Sequence, residues 1–209
     1  EHINNRLIRS IPDFDSTYIA LNDSLLNTND FSFSDINKEK FPFIHININK
    51  ADVQDIQSFQ LPKGMFRTFL EEIMIDEEGN YDNDLANLLQ ECCGYCFNPS
   101  VKAEAAFFWK GDGANGKGVM MYLLESILGT EFRSAVNIEA LTKNNFAAAE
   151  LVGKKVNFCS ENESEIVSSP RLKALISGDP IRIEEKFKKA YSAPLQVKFI
   201  FCTNDFPKF

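Results

Sequence analysis

Residues Gly111-Asp112-Gly113-Ala114-Asn115-Gly116-Lys117-Gly118 have the types and spacing of a phosphate-binding loop, Gly-x-x-x-x-Gly-Lys. Glycines let the backbone close around phosphate oxygens, and N–H groups at the start of a following helix supply positive partial charge. Lys117 adds a mobile cation for the β- and γ-phosphates of a nucleotide. The next position holds Gly118, where such loops usually carry Ser or Thr, so the hydroxyl that helps hold Mg²⁺ is missing. Two readings stay open. Either Mg²⁺ is held by water, phosphate and carboxylate alone, or nucleotide is bound with weakened hydrolysis.

Three other groups have chemistry to offer. Glu161 follows the apolar strand candidate Lys155–Cys159, with Glu163 and Glu165 close behind. A carboxylate at a strand's C-terminal end beside such a loop suits a metal-water ligand or a water-activating base; the plain alternative is a solvated acidic turn. Asn204 follows the strand candidate Val197–Phe201. Its amide would orient an attacking water or touch a γ-phosphate, although Asn after a strand is often just a turn residue. The segment Ile181–Tyr191 carries Arg182, Lys186, Lys188 and Lys189 against Glu184 and Glu185, interleaved with Phe187 and Tyr191. Basic and aromatic residues so mixed suit contact with a single-stranded nucleic acid; as a lone charge run they would make a solvated hairpin.

Those residues need elements to hold them. Ala105–Trp109 is a continuous apolar run, expected to be a central strand buried on both faces and feeding the loop. Val119, Met120, Leu123, Leu124 and Ile127 keep helical spacing until Gly129. A helix is expected around Phe146–Leu151, and Ser169-Pro170 opens another that runs to Gly178. The expected class is α/β, with a phosphate loop on a parallel central sheet over 100–209. Residues 1–50 read as a small β-rich region, in which Phe43–Ile48 alternates and puts His45 on the polar side. Residues 51–99 read as a helical segment preceding that domain. Met65-Phe66, Phe69-Leu70 and Ile73-Met74 mark one amphipathic helix, and Leu85, Leu88, Leu89 and Cys92 a second, ending at Gly94 as its C-cap. Asn98-Pro99-Ser100 is the joint to the domain that follows.

Composition narrows the classes. Five cysteines without regular spacing do not form a disulfide framework, and the Cys93-x-x-Cys96 pair lacks a second pair to make a metal site. No window of eighteen apolar residues suggests a membrane span, so a soluble, cytoplasmic protein is expected. A net charge of -8 excludes a broadly basic surface but not a local basic patch.

Taken in order, the motifs resemble those of superfamily 3 helicases, specifically the helicase part of phage, plasmid and poxvirus primase-helicases. Trp109–Gly118 resembles the Walker A segment, including the Asn before Gly-Lys, and Val156–Glu161 looks like Walker B. Leu172–Ile181 is similar to the Lys-x-Leu-x-x-Gly-Asp segment that leads into a DNA-touching hairpin, and Phe199–Pro207 resembles motif C, with Asn204 at the sensor position. The resemblance covers residues from about 100 to 209. It implies an AAA+-like P-loop fold, ATP and Mg²⁺ as cofactors, a hexameric ring with ATP between subunits, single-stranded DNA as partner, and a linked primase or polymerase upstream of Glu1. The catalytic set carried over is Lys117, Glu161 and Asn204, with Glu161 toward the metal. It also implies an arginine finger beyond Phe209. Such a finger is worth roughly 10³–10⁵ in rate, so these residues alone are expected to hydrolyse ATP slowly. A ring that clamps DNA without hydrolysis is the alternative, supported by Gly118.

Overall fold

The computed structural model describes residues 15–37, 42–53, 64–160 and 169–205. Its backbone contacts divide into two compact units, Glu1–Phe59 with Phe97–Ser100, and Gln60–Cys96 with Val101–Phe209. The two are described separately.

The first unit holds β1 (Asp15–Ala20), β2 (Leu25–Asn27), β3 (Phe33–Ser34) and β4 (Pro42–His45) in one sheet of order β3-β2-β1-β4, and the short helix α1 (Lys50–Val53). β1 and β2 are antiparallel, whereas β1 and β4 are parallel. Ile19, Leu21 and Ile44 make its small core. His45 is exposed, as the alternation of its strand requires.

The second unit begins with α2 (Met65–Ile73) and α3 (Asn83–Phe97). Between them the Asp76 carboxylate accepts from the N–H groups of Glu78 and Asn80, which turns the chain from one helix to the next. The Asp82 side chain then caps α3 by accepting from Asp84 and Leu85. Gly94 does not end α3, contrary to the expectation from sequence: the helix runs on to Phe97. A glycine inside a helix costs up to about 1 kcal/mol, and continuation sets Cys96 into the core beside Cys92 and Tyr95 edge-on to Phe107, which offsets it.

A four-stranded parallel sheet follows, built from β5 (Ala106–Lys110), β6 (Arg133–Ser134), β7 (Val156–Cys159) and β10 (Lys198–Thr203), in the order β5-β10-β7-β6. Among the described residues the apolar run before the loop lies at the edge of this sheet. Its residues Ala106–Trp109 are half-buried, and every residue of β7 and β10 is buried. β10 inserts between β5 and β7 although it is the last of the described strands. α4 (Lys117–Leu128) covers one face, where Met121 meets Cys202. α5 (Ile138–Lys143), a 3₁₀ turn at Ala147–Leu151 and α6 (Pro170–Ser177) cover the other with Leu141, Leu151, Leu172 and Leu175 against Cys159, Phe199 and Phe201. Helices on both faces account for β7 and β10 being buried along their whole length. Ser169 occupies the N-cap of α6, as expected, but its side chain makes no capping bond, and Gly178 closes the helix at φ +73°. Within the same compact unit, β8 (Ile181–Ile183) and β9 (Tyr191–Ala193) form an antiparallel hairpin.

Among the described residues no helix is long and apolar enough to cross a membrane.

Candidate functional site

The loop leaves the C-terminal end of β5 and enters α4. The Gly111 N–H donates to the Thr203 carbonyl at 3.1 Å, extending the β5–β10 ladder one step past the strand. A side chain at position 111 would collide with the Asn115 amide, which folds across that point 1.7 Å from an ideal Cβ. Gly116 has φ +82°, and a Cβ there would meet the Phe69 ring at 2.9 Å and Ile73 at 3.0 Å. Glycine is thus required at 116 for its backbone and for the close approach of α2.

The Lys117 ammonium donates to the Gly111 carbonyl and to Asn115 Oδ1, the latter at 2.9 Å. Both acceptors belong to the loop, so the cation is held over it. No side chain caps α4, and its first intrahelical bond is Met120 N–H to the Gly116 carbonyl. The N–H groups of Lys117, Gly118 and Val119 therefore precede the helical ladder, where an anion is best received. Gly118 is exposed, and an ideal Cβ on it meets nothing within 4 Å.

Two other strands end beside this loop. Asn204 immediately follows Thr203, whose carbonyl holds Gly111, so the register sets Asn204 next to the loop at an exposed position. The Thr203 hydroxyl, buried, is tied to the Asp205 backbone and braces that turn. β7 ends at Cys159, paired with Phe201 of β10. Glu161, Glu163 and Glu165 lie outside the described residues. The exits of β5, β10 and β7 are consecutive in the sheet, which is where open parallel sheets bind ligands.

In the hairpin, Ile181 and Ile183 are buried and anchor β8, and the residues between the strands carry the charge. Arg182 pairs with Glu184 at 2.7 Å and Lys188 with Glu185 at 2.5 Å. Lys186 and Lys189 are exposed and enter no ion pair among the described residues. Phe187 stands fully exposed at φ +64°, a backbone state that costs a bulky residue about 1–2 kcal/mol. A ring held in water on a strained tip is available for stacking.

Some participants were not visible as such in the sequence. Phe69 and Ile73, read only as a helical face, press on Gly116. Leu85 and Leu88, read only as a second helical face, are exposed and line a cavity that reaches the loop. Cys92, Cys93, Cys96, Cys159 and Cys202 are in no disulfide, and among the described residues no cluster could hold a metal ion. Burial pushes the Cys202 thiol, on the strand beside the loop, up to about 11, partly opposed by Lys117.

Residues 109–209 match the model of a family of unknown function (DUF5906). Over 112 residues the chain is 29% identical to the protein named "Putative primase C962R" in four isolates of African swine fever virus. That alignment covers 50% of this chain and 12% of the viral protein, so the chain spans about an eighth of these relatives' length. Among solved structures, two of the C-terminal region of NrS-1 (305–718) superpose with TM-scores of 0.52 and 0.55 at 20% identity. They cover 70% of this chain and 33% and 34% of the other. A further NrS-1 C-terminal structure covers 88% of this chain and 52% of its own, with a TM-score of 0.52 at 15% identity. The likeness to NrS-1 is one of fold.

Proposed function

We propose that the chain is the nucleotide-driven motor of a viral-, phage- or plasmid-type DNA replication protein, an ATP-dependent helicase or translocase of the superfamily 3 kind. The observation that carries the reading is the Gly111–Lys117 loop bonded at its base to Thr203, with Asn204 beside it at the exits of parallel strands. Similarity to viral proteins named as primases supports a setting in replication.

In this reading Lys117 and the loop N–H groups bind the phosphates of ATP. Glu161 holds Mg²⁺ through water or activates the attacking water, and Asn204 touches the γ-phosphate. Arg182, Lys186, Lys188 and Lys189, with Phe187, track single-stranded DNA through phosphate contact and stacking. The protein works as a ring, six subunits in the analogy, with a linked or partner primase or polymerase in the host cytoplasm. A Mg²⁺ held there would supply charge neutralisation to the transferred phosphoryl group.

The test is ATP hydrolysis with and without single-stranded DNA. Stimulation by DNA that disappears in Lys117→Ala supports the motor; hydrolysis absent from the start, or unchanged by that substitution, removes the enzyme. One observation favours a second reading: Gly118 offers no hydroxyl to the metal. A ring that assembles on DNA equally well without nucleotide would make this chain a clamp.

A further inference from the structure

We propose that Asn115 is a positioning residue for Lys117: its side-chain oxygen and the Gly111 carbonyl together hold the ammonium so that one N–H is left for a phosphate oxygen. The inference rests on the phosphate reading of the loop and adds which residue steadies its cation.

A lysine ammonium has three N–H donors at the end of a flexible four-carbon stem. Two of those on Lys117 are taken within the loop, one by the Gly111 carbonyl and one by Asn115 Oδ1 at 2.9 Å. The nitrogen is tetrahedral, so its stem and two fixed donors also set the direction of the third. A phosphate then meets a cation whose stem is already ordered, and binding is spared that loss of rotamer freedom. The acceptor at 115 is neutral. A carboxylate there would hold the ammonium too, but would set a negative charge where an anion must come.

The same side chain accounts for the glycine at position 111. An ammonium has no acceptor, so it must face the amide oxygen, and Nδ2 is turned the other way, onto Gly111. Nδ2 lies 1.7 Å and Cγ 2.9 Å from the point that an ideal Cβ at 111 would occupy, with Lys117 Nζ 3.5 Å from it. The atoms in conflict belong to the loop itself. A side chain at 111 would push the amide away and take the acceptor from Lys117 with it. Gly111, Asn115 and Lys117 therefore act as one unit: a carbonyl, an amide and an ammonium that fit together only without a Cβ at the first position.

Two measurements on the 209-residue chain test this. The first needs no ligand: labelling with acetic anhydride, followed lysine by lysine by mass spectrometry. Asn115→Ala should speed the labelling of Lys117 by about threefold or more, the worth of one hydrogen bond, and leave the exposed Lys173 unchanged. A thermal melt checks the fold, and Asn115→Leu, closer in volume, replaces the variant if the melt shifts. The second is binding of inorganic tripolyphosphate by calorimetry. Asn115→Ala should weaken it by about tenfold, and in a Lys117→Ala background the same change should cost nothing further. Gly111→Ala should weaken it comparably in the wild type and not at all in the Asn115→Ala background. Unchanged labelling of Lys117, or an Asn115→Ala loss that is the same with and without Lys117, overturns the positioning role. Tighter binding by Asn115→Ala overturns it too, since Asn115 would then compete with phosphate for the ammonium. Tripolyphosphate affinity that ignores Lys117→Ala would overturn the phosphate reading of the loop instead, and the ligand-free labelling tells the two failures apart.

Discussion

The two ends of the parallel sheet treat lysine in opposite ways. At the C-terminal end, Lys117 is half-buried and its ammonium is received by a carbonyl and an amide oxygen of the loop. At the N-terminal end, Lys155 and Lys198 open β7 and β10 with only 1% and 2% of their surface exposed. Lys155 lies over the Phe132 ring at 3.7 Å and Lys198 over the Tyr95 ring at 5.5 Å. Burial pulls each down to about 8, opposed by Glu131 for Lys155 and by Cys96 for Lys198. One end keeps a cation accessible among acceptors, as ligand binding requires. The other encloses cations under aromatic rings, where they pack strands and cannot meet a substrate. What surrounds an ammonium group decides whether it belongs to a site.

The largest effect should separate the ends cleanly. Lys117→Ala is expected to lower DNA-stimulated ATP hydrolysis by about 10²–10³ or more, the order found when a preorganised transition-state donor is removed, with little change in melting temperature. Hydrolysis that survives would place the loop with the structural end, and the contrast would fail.

Asn157, the second residue of β7, is wholly buried and bonded through both its oxygen and its nitrogen. Its Oδ1 accepts from the Ser134 hydroxyl and the Val136 N–H, and its amide donates to the Val136 carbonyl. Asn157→Leu keeps the volume but orphans three buried partners, so urea unfolding should show a loss of about 2–4 kcal/mol. ATP affinity of the folded fraction should stay unchanged; a selective loss of ATP binding would mean that the two ends are coupled.

Lys198→Met should do the reverse of a damaging mutation. The folded group titrates near 8 and the unfolded one near 10.5, so between these values the unfolded chain holds more protons and stability rises with pH. Below pH 8 the buried charge costs its full amount. Methionine should therefore stabilise the protein at pH 7 by about 2 kcal/mol, less the lost contact with Tyr95, and the advantage should shrink toward pH 10.5. Melts across pH 7–10.5 read this directly, and a constant difference would show that the lysine charge is not what burial penalises.

The sequence carried the local parts of this arrangement and not the long-range ones. The loop was legible because glycine at 111 and 116 answers local backbone demands. That Phe69 also forbids a side chain at 116 depends on a helix far upstream. That β10, and not a strand nearer in sequence, is the neighbour of β5 among the described residues is likewise a long-range fact, since apolarity alone does not order parallel strands. Gly94 obeyed a local stop rule that the packing of Cys96 overrode. Lys155 and Lys198 flank their strands like ordinary solvated ends, since burial by rings from Phe132 and Tyr95 leaves no mark on spacing. Asn204 was legible as a strand-tip residue, and the Gly111–Thr203 bond supplies its neighbour. Glu161 falls outside the described residues.

The smallest expected effect refines what the accessible end can do. Serine at 118 should fit, because an ideal Cβ there meets nothing within 4 Å and the position is exposed in the first turn of α4. Removing a helical glycine should stabilise the fold by about 0.5 kcal/mol, within reach of a melting curve. If loop, water and carboxylate already complete the metal's shell, Gly118→Ser should change DNA-stimulated hydrolysis and its Mg²⁺ dependence by no more than about threefold, a difference worth under 1 kcal/mol. A gain far beyond that, with a lower Mg²⁺ requirement, would show that the missing hydroxyl limits catalysis. The two ends of the sheet would then differ in access to ligand but less in chemistry, and the ring that clamps without hydrolysis would be the better account of the natural protein.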